Sequence, residues 1–439
     1  MGMLVTEGAA SRRDRRLCLI AAAGLFAASV LLFALVPALA PPFVWFGLGL
    51  GLLLALRHLV LSFVARFVRA GPTPEAVSRP SITLLIPCLN ELRSLEQAVP
   101  GMMKLRYEGR LLFCYVCEGA STDGSIRYLR QRAQEDPRIV PIEKTTPPAG
   151  RGAAVAYGLA HAPPGDVVGF LDADHIVSQD SLDEIARTFG RPDAPHAVQG
   201  ACATVADSSS VLARLLTVER QWLEKVELEV NPRLGGICYF GGGQGFFVRH
   251  LFDEGRFAID ETMILDDIDL SCQLALNGTR VVFNPRIVTR SRQPETVPRF
   301  LDQRLRWARG WVQLAGRYAL APFRRGPIPL GFRADLLRVV LTPTAGGLLC
   351  FSFAAALAML AGAEPGLLWP AAAALLWPFL LVPAPCLAGV RPARASDAAL
   401  AAIGIPLLMY AYCWVMGTSL VDAYVLRRPA RYAKTPKDP

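Results

Sequence analysis

The stretch VVGFLDADH, residues 167–175, joins an unbroken apolar run to two aspartates that stand one residue apart. Helix-like stretches at 125–134 and 181–189 lie on either side of it. Three more short apolar runs share its character: ITLLIPC at 82–88, LLFCYVC at 111–117 and VVF at 281–283. Strands that are apolar throughout and alternate with helices are typical of a parallel sheet covered on both faces. The middle of the chain is therefore predicted to be an α/β domain.

Acidic residues collect at the predicted carboxyl ends of these strands, where parallel α/β sheets bind their ligands. Glu118 follows the run at 111–117, and Asp172 and Asp174 follow the run within 167–175. Two carboxylates one residue apart repel each other unless a cation lies between them. Mg²⁺ or Mn²⁺ is commonly held by one or two carboxylates together with substrate phosphates. The aspartate pair thus predicts a divalent-metal site that faces a phosphate-bearing substrate.

The absence of two motifs argues against two classes of nucleotide-binding enzyme. No G-x-x-x-x-G-K-[ST] and no G-x-G-x-x-G pattern follows a strand, so neither a Walker NTPase nor a nicotinamide enzyme is supported. A nucleotide diphosphate-sugar is the natural candidate, because a metal ion can neutralise its diphosphate as the glycosidic bond breaks.

Two later segments are predicted helices. LDDIDL at 265–270 opens the first, and the helix dipole alone would explain its acidic residues. In the second, QRLRW, the side chains of Gln303, Arg306 and Trp307 stand at i, i+3 and i+4 and share one face. An amide, a guanidinium and an indole on one stripe can hydrogen-bond a diphosphate and stack on a sugar ring. The alternative for this stripe is a membrane-interface helix with Trp and Arg at the lipid headgroups.

Membrane segments are predicted at both ends of the chain. Of its 439 residues 52% are hydrophobic and 19% charged, and the mean hydropathy is +0.33, too apolar for a soluble protein of this length. Five apolar runs, uncharged apart from Arg57 in the second, are long enough to cross ~30 Å of hydrocarbon: 17–40, 41–65, 339–363, 365–390 and 398–421.

The net charge of +9 fits a membrane protein better than a nucleic-acid-binding one, because base-reading motifs are absent. Arginines flank the apolar runs instead, where they mark cytoplasmic ends and meet anionic lipids: Arg15, Arg16, Arg66, Arg69, Arg391, Arg394, Arg427 and Arg428. This pattern places the middle domain in the cytoplasm. Three C-terminal spans would leave the basic tail outside, so either one Pro-broken segment is re-entrant or interfacial, or the positive-inside rule is broken.

The predicted organisation has six parts. They are a cytoplasmic tail (1–16), an N-terminal transmembrane hairpin (17–65), an α/β domain (66–310), an amphipathic interfacial segment (311–338), two or three C-terminal spans (339–426) and a basic tail (427–439). The strong bias towards arginine among the basic residues suggests a GC-rich bacterial genome, which makes the bacterial inner membrane the predicted location.

The motifs ITLLIPCLNE, CEGASTDGS, FLDADH, LDDIDL and QRLRW, in this order and flanked by membrane segments, resemble those of the membrane-integrated family 2 glycosyltransferases. Processive members of that family make cellulose, hyaluronan, chitin or poly-N-acetylglucosamine. The resemblance covers about residues 80–312 and the anchors. It implies a Rossmann-like GT-A fold, a UDP-sugar donor, a divalent metal and inversion at the anomeric carbon.

The resemblance also assigns roles to individual residues. Asp172 and Asp174 match the D-x-D motif, which contacts the nucleotide and holds the metal, and Asp267 matches the general base that ends the T-E-D motif. The Q-x-x-R-W motif is intact, which implies diphosphate roles for Gln303 and Arg306 and an acceptor role for Trp307.

Two positions depart from the family pattern. Glu118-Gly119-Ala120 replaces Asp-Asp-Gly, which leaves Glu118 as the carboxylate near the base and ribose, and Leu265-Asp266-Asp267 replaces T-E-D. The glycine-rich segment 239–245 lies where the family has a loop beside the acceptor, although a merely flexible loop would have the same composition.

The resemblance implies an inverting enzyme that adds a sugar from a UDP-sugar to a growing polysaccharide and exports the product through its membrane helices. An alternative acceptor is a single lipid such as ceramide, diacylglycerol or polyprenyl phosphate, because lipid-glycosylating relatives carry the same motifs. The alternative from another class is a catalytically inactive membrane scaffold or transporter, which the change at 118–120 favours.

Overall fold

The computed structural model describes residues 9–69, 71, 73–204, 209–324, 326, 328–362, 368–392 and 394–428, with side chains from residue 16 onward. Residues 1–8 of the predicted tail 1–16 and residues 429–439 of the predicted basic tail 427–439 lie outside the described residues. In the described part of the chain, eight strands form one sheet. They are β1 Ile82–Cys88, β2 Leu111–Glu118, β3 Ile139–Lys144, β4 Val167–Leu171, β5 Ile176–Val177, β6 Ala197–Thr204, β7 Gln244–Val248 and β8 Val281–Ser291.

Helices alternate with the strands and continue beyond them. Those that precede or interleave with the sheet are α1 Ala9–Leu35, α2 Ala40–Ala65, α3 Leu92–Met103, α4 Ser125–Glu135, α5 Arg151–His161, α6 Gln179–Phe189, α7 Val211–Leu223, α8 His250–Asp253 and α9 Asp266–Leu276. Those that follow the sheet are α10 Val297–Arg317, α11 Leu330–Gly362, α12 Leu368–Leu376, α13 Ala384–Leu387 and α14 Ala395–Leu420. The α/β class predicted from the alternation is confirmed.

The sheet is mixed, so the prediction of a parallel sheet is only partly right. The strand order is β3-β2-β1-β4-β7-β6-β8-β5, and β1 to β4 run parallel. Strand β7 runs antiparallel to both β4 and β6, and Leu171 pairs with Gln244. A strand that runs in the opposite direction begins, rather than ends, at the ligand-binding edge. The glycine-rich loop before β7 therefore reaches the same edge as Asp172.

Each face of the sheet has its own apolar core. Leu84 of β1 packs with helices α3, α4 and α6 on one face, whereas its neighbour Leu85 packs with α5 on the other. Side chains alternate between the two faces of a strand, so consecutive apolar residues serve both cores. Phe170 and Phe247 fill the second core, and complete burial of such a side chain contributes roughly 1.5–3 kcal/mol.

Among the described residues, five helical segments are long and apolar enough to cross a membrane: Arg16–Leu35, Pro37–Ala65, Leu330–Gly362, Leu368–Leu387 and Ala395–Val425. They correspond to the five apolar runs. Two of the predicted boundaries between parts of the chain fall inside helices. The boundary at 310–311 lies within α10, and the predicted start of the C-terminal spans at 339 lies within α11, which begins at Leu330. The charged residues in its first turns have partners, because Arg338 lies 3.2 Å from Asp335 and Arg333 donates to backbone carbonyl oxygens such as that of Pro322 at 2.9 Å.

The last two apolar segments differ in their structure. The segment Leu368–Leu387 consists of α12, a 3-10 turn and α13, and the chain is broken by prolines at 378, 383 and 385. Helix α14 has an ion pair near each end. Asp397 pairs with Arg214 of α7, and Asp422, just beyond the helix, lies 2.7 Å from Arg309 of α10. Both ends of this apolar helix are therefore held by helices that follow strands of the sheet.

Candidate active site

A cluster of possible metal ligands lies at the carboxyl end of β4. Asp172, Asp174 and His175 each offer a ligand atom, and these atoms lie within 4.8 Å of one another. Carboxylate oxygens and imidazole nitrogen are common ligands of divalent cations. The sequence predicts the two aspartates, whereas His175 was not among the predicted ligands although it directly follows the D-x-D motif. The donor set fits a divalent cation.

The glycine loop before β7 lies directly against this cluster. A side chain at Gly243 would overlap with the ring of His175, with its Cβ only 2.7 Å from Nδ1. Gly242 has φ +85°, and a Cβ there would lie 3.0 Å from Oδ2 of Asp267. Glycine is needed at these two positions because the backbone approaches two functional side chains closely. The loop thus connects the metal-ligand cluster with helix α9.

Arg151, the first residue of α5, joins the same elements through its side chain. Its Nε lies 3.0 Å from Oδ1 of Asp172, and the guanidinium also pairs with Asp266 and donates to the carbonyl oxygen of Gly242. Burial alone would lower the pKa of Arg151, but the charges of Asp266 and Asp172 outweigh burial and raise it. Sequence reasoning missed Arg151, whose signal is a single basic residue between two glycines.

Helix α9 begins at Asp266, and its three acidic residues have different surroundings. Asp266 is buried against Arg151, and Asp269 is buried with Tyr318 at 2.8 Å and Arg317 at 3.0 Å. The carboxylate of Asp267 borders the cavity and accepts a hydrogen bond from the backbone N–H of Ile268 at 2.8 Å.

The pKa of both leading aspartates is raised. Burial is the main cause for each of them. For Asp267 the charge of Asp266 adds to burial and raises the pKa to about 7. A carboxylate whose pKa lies near neutrality is suited to accept a proton under physiological conditions. Such shifts are characteristic of functional carboxylates.

The predicted stripe on α10 faces the same space. Gln303, Arg306 and Trp307 all line the cavity, and so does Trp311, which stands one turn beyond Trp307. Gly310 lets α10 approach α9 closely, because a side chain there would overlap with that of Leu265. The oxygen Oε1 of Gln303 is buried without a hydrogen-bond partner in the part of the chain that the structure describes. This oxygen is therefore available to accept a hydrogen bond from a ligand.

One cavity of about 810 Å³ contains all the residues that the sequence singles out. The predicted residues that line it are Glu118, Asp172, Asp174, Asp267, Gln303, Arg306 and Trp307. They come from two strand ends and two helices that are distant in sequence. The structure therefore brings the predicted site residues together.

Glu118 contacts two groups of the protein near the end of β2. Its carboxylate accepts a hydrogen bond from the backbone N–H of Gly150 at 3.1 Å and lies 3.6 Å from Nζ of Lys144. Burial raises its pKa, although these two contacts act in the opposite direction. In this arrangement Glu118 holds the loop that leads to Arg151. Its predicted role beside the base and ribose of the nucleotide remains a prediction.

At its other end the cavity reaches the membrane helices. Glu227, in the π-helical turn Glu224–Val230, lies 2.5 Å from Arg57 of α2 and 3.1 Å from Arg338 of α11. Burial alone would raise the pKa of Glu227, but Arg338 and Arg57 hold it at about 2. Glu227 and Arg338 line the cavity. The space between the sheet edge and the membrane helices is thus continuous.

Comparison with known proteins identifies the family. Residues 167–389, just over half of the chain, match the family described as glycosyl transferase family group 2. The chain belongs to this family. The predicted enzyme class and the suspected resemblance are thereby confirmed, and the matched region includes the aspartate pair, α9 and α10.

Curated relatives of this family 2 glycosyltransferase include the poly-β-1,6-N-acetyl-D-glucosamine synthase of Staphylococcus aureus (strain COL). The two are 26% identical over 250 residues, which are 57% of this chain and 59% of the relative. The similarity therefore spans about three-fifths of the length of that relative.

A solved structure shares the fold. The mannosyltransferase from Pyrobaculum calidifontis in complex with GDP-Man and Mn²⁺ has a TM-score of 0.64 and 21% identity, and the similarity covers 88% of this chain and 99% of that one. The predicted GT-A fold, with a mixed Rossmann-type sheet and apolar helices at both ends, is confirmed for this family 2 glycosyltransferase.

Proposed function

We propose that this glycosyltransferase transfers a sugar from a UDP-sugar to a growing polysaccharide, with inversion at the anomeric carbon. One observation carries the proposal. A single cavity contains a possible metal-ligand cluster, a carboxylate of raised pKa at Asp267 and the stripe of Gln303, Arg306 and Trp307. These are the groups that a single displacement on a nucleotide diphosphate-sugar needs.

The proposed base is Asp267. Its carboxylate takes the proton of an acceptor hydroxyl while that oxygen attacks the anomeric carbon of the donor. A new glycosidic bond forms as the bond from the anomeric carbon to the diphosphate oxygen breaks, and the bonding electrons leave with UDP. The backbone N–H of Ile268 fixes one carboxylate oxygen of Asp267, and Gly242 lies against the other.

The leaving diphosphate is proposed to lie between the aspartate pair and α10. Asp172 and Asp174 would hold a divalent cation, Mg²⁺ or Mn²⁺, which neutralises the charge of the diphosphate when bound. Gln303 and Arg306, which line the same cavity, would donate hydrogen bonds to the phosphate oxygens from their side-chain N–H groups. Trp307 offers its indole to the acceptor sugar.

The acceptor is proposed to enter and leave on the membrane side of the cavity, where Glu227 and Arg338 line it. A polysaccharide that grows there would leave through the membrane helices. One observation favours the alternative of a lipid acceptor, because Leu216, Leu223 and Leu228 form an apolar part of the same wall. The size of the product distinguishes the two acceptors.

We also propose a membrane topology with four spans and a cytoplasmic catalytic domain. Ion pairs of Asp397 with α7 and of Asp422 with α10 hold both ends of α14 against the domain, which supports an interfacial position for this helix. With α14 on the cytoplasmic surface, the arginines at 391 and 394 and those at 427 and 428 lie on the same side as the domain. This arrangement satisfies the positive-inside rule.

The decisive experiment supplies membranes that contain the protein with a panel of labelled UDP-sugars, and with GDP-Man as a separate arm. The products are analysed by size and by sensitivity to glycoside hydrolases. A ladder or polymer made from one UDP-sugar is the expected result, and a single hexosyl-lipid would support the lipid acceptor. The absence of transfer from every UDP-sugar would contradict the proposed donor class.

A further inference from the structure

A buried carboxylate on α7 connects this helix to α10 and to α14. Glu219 is 2% exposed, and its Oε2 accepts a hydrogen bond from Nη2 of Arg304, in α10, at 3.1 Å. Its other oxygen accepts a hydrogen bond from the hydroxyl group of Tyr412, in α14. Each carboxylate oxygen of Glu219 therefore holds a side chain of a different helix.

The guanidinium that Glu219 holds lies among aromatic rings. Cζ of Arg304 is 4.4 Å from the ring centroid of Trp307. The ring centroids of Tyr412 and Phe300 are 5.1 Å and 5.4 Å from the same atom. A cation within about 6 Å of an aromatic ring is attracted to its face, most strongly when the ring is an indole. The indole of Trp307 is thus held by an arginine that is itself fixed from α7 and α14.

This network reaches the catalytic cavity from behind its wall. Glu219, Arg304 and Trp307 line the cavity, whereas Tyr412 is not among the described residues that line it. Trp307 is half-buried, so part of its indole is open to a ligand. A ring that stacks on a sugar is most effective when its orientation is fixed before the sugar arrives. Groups that do not touch the sugar can therefore determine how well it is bound.

We propose that Glu219 and Tyr412 are positioning residues that act through Arg304 and fix the indole on which the acceptor sugar stacks. The inference rests on the proposed function, which assigns the acceptor to Trp307. Helix α14 thereby contributes to transfer without touching either substrate. When these contacts are lost, the donor still binds, but the acceptor hydroxyl is less often in place. Water then attacks the anomeric carbon and gives its proton to Asp267, so that free sugar and UDP are released.

The first test measures how much of the cleaved donor is transferred. Full-length protein in lipid nanodiscs is given the labelled UDP-sugar that the donor panel identifies, and UDP release and sugar incorporation are measured in the same reaction. Tyr412→Phe and Glu219→Gln should lower the transferred fraction by about two- to tenfold, the range that loss of a cation–π contact supports, with the affinity for UDP unchanged. The matched control is Tyr410→Phe, which removes another hydroxyl group of α14, one that donates to the carbonyl oxygen of Leu375, and should leave the fraction unchanged.

A second readout follows the indole itself and requires no turnover. The seven tryptophans are replaced by fluorotryptophan, and the ¹⁹F resonance that is missing from Trp307→Phe is assigned to Trp307. Glu219→Gln and Tyr412→Phe should shift or broaden this resonance, because the ring is no longer held in one orientation. The resonance of Trp45, which packs against Trp369, should not change.

A double variant separates positioning from stability. Glu219→Gln combined with Arg304→Gln removes both buried charges, so stability that is lost when only one partner is replaced should largely return. An amide places no charge over the indole, so the transferred fraction should stay low. Recovery of the transferred fraction together with thermal stability would show that the network is only structural and would overturn the inference.

The outcomes separate this inference from the proposed function. A wild-type transferred fraction in both Tyr412→Phe and Glu219→Gln, or an unchanged Trp307 resonance, would overturn the inference, whereas reduced transfer by Trp307→Ala would leave the proposed acceptor role standing. Normal transfer by Trp307→Ala would overturn that role and the inference with it. If no UDP-sugar is used, the proposed donor class fails, and the Trp307 resonance still reports whether the two residues hold the indole.

Discussion

The guanidinium of Arg151 pairs with the buried carboxylate of Asp266 and joins the first turns of helices α5 and α9. The same side chain lies 3.0 Å from Oδ1 of Asp172. One arginine therefore fixes the separation between the strand-end aspartate and the helix that carries the proposed base. A substitution of Arg151 alone, with Asp266 unchanged, should therefore affect stability as well as catalysis.

Replacement of Arg151 by methionine should lower the free energy of unfolding by about 3–5 kcal/mol, because Asp266 would remain buried without its ion-pair partner. The double variant with Asp266→Asn should recover much of this loss. Thermal and urea unfolding of the purified protein in detergent measures both effects. Arg130→Met is the matched control, since Arg130 and Glu143 form an exposed pair and such pairs contribute little. Equal destabilisation by Arg151→Met and Arg130→Met would contradict the prediction.

The pH dependence of transfer should reveal the titration of Asp267. A general base works only when ionised, so the rate should fall as the pH drops through the raised pKa of about 7. Asp266→Asn removes a neighbouring negative charge that raises this pKa, and the acidic limb of the profile should move to lower pH. The measurement is the transfer rate at saturating donor from about pH 5 to about pH 9. An acidic limb that does not move in Asp266→Asn would contradict the assigned cause.

Removal of the divalent metal should abolish transfer. Activity is expected to disappear in EDTA and to return with Mg²⁺ or Mn²⁺, because the diphosphate needs a counter-charge as it leaves. Asp174→Asn should weaken donor binding as well as turnover, whereas Asp180→Asn, an exposed aspartate in the first turn of α6, should change neither. Donor binding and turnover are measured in parallel, and full activity in EDTA would refute the metal site.

The parts of the site that could be predicted from the sequence are those with short and regular spacing. Asp172 and Asp174 follow one apolar strand, and Gln303, Arg306 and Trp307 repeat at helical intervals. Their placement around one cavity follows from strand and helix periodicity, together with the rule that parallel sheets bind ligands at one edge.

The residues that were missed depend on long-range geometry. His175 and Gly243 meet only because β7 runs antiparallel to β4, and the short run at 244–248 gives no sign of its direction. Arg151 lies far in sequence from Asp266, and nothing local predicts their pairing. A parallel strand at this place would have carried the glycine loop to the opposite edge of the sheet.

Reporter fusions should test the membrane topology at two positions. A phosphatase fused after residue 75 should be inactive and a fluorescent protein at the same point bright, because the domain is proposed to lie in the cytoplasm. The same pair of results is expected for fusions after residue 428 if α14 is interfacial. Phosphatase activity only at the second position would show that α14 crosses the membrane, and activity at the first would overturn the cytoplasmic location.

The most direct measurement is the rate of sugar transfer by Asp267→Asn, with the affinity for the donor determined on the same preparation. Asparagine keeps the size of the side chain but does not accept the proton, and loss of general-base help typically lowers the rate by ~10²–10⁴. Donor affinity should remain close to that of the wild type, and Asp266→Asn should still transfer sugar. Transfer by Asp267→Asn at a near wild-type rate would contradict the assignment. If Asp266→Asn were then inactive, the base would be its neighbour; if both variants were active, the base would not lie on α9.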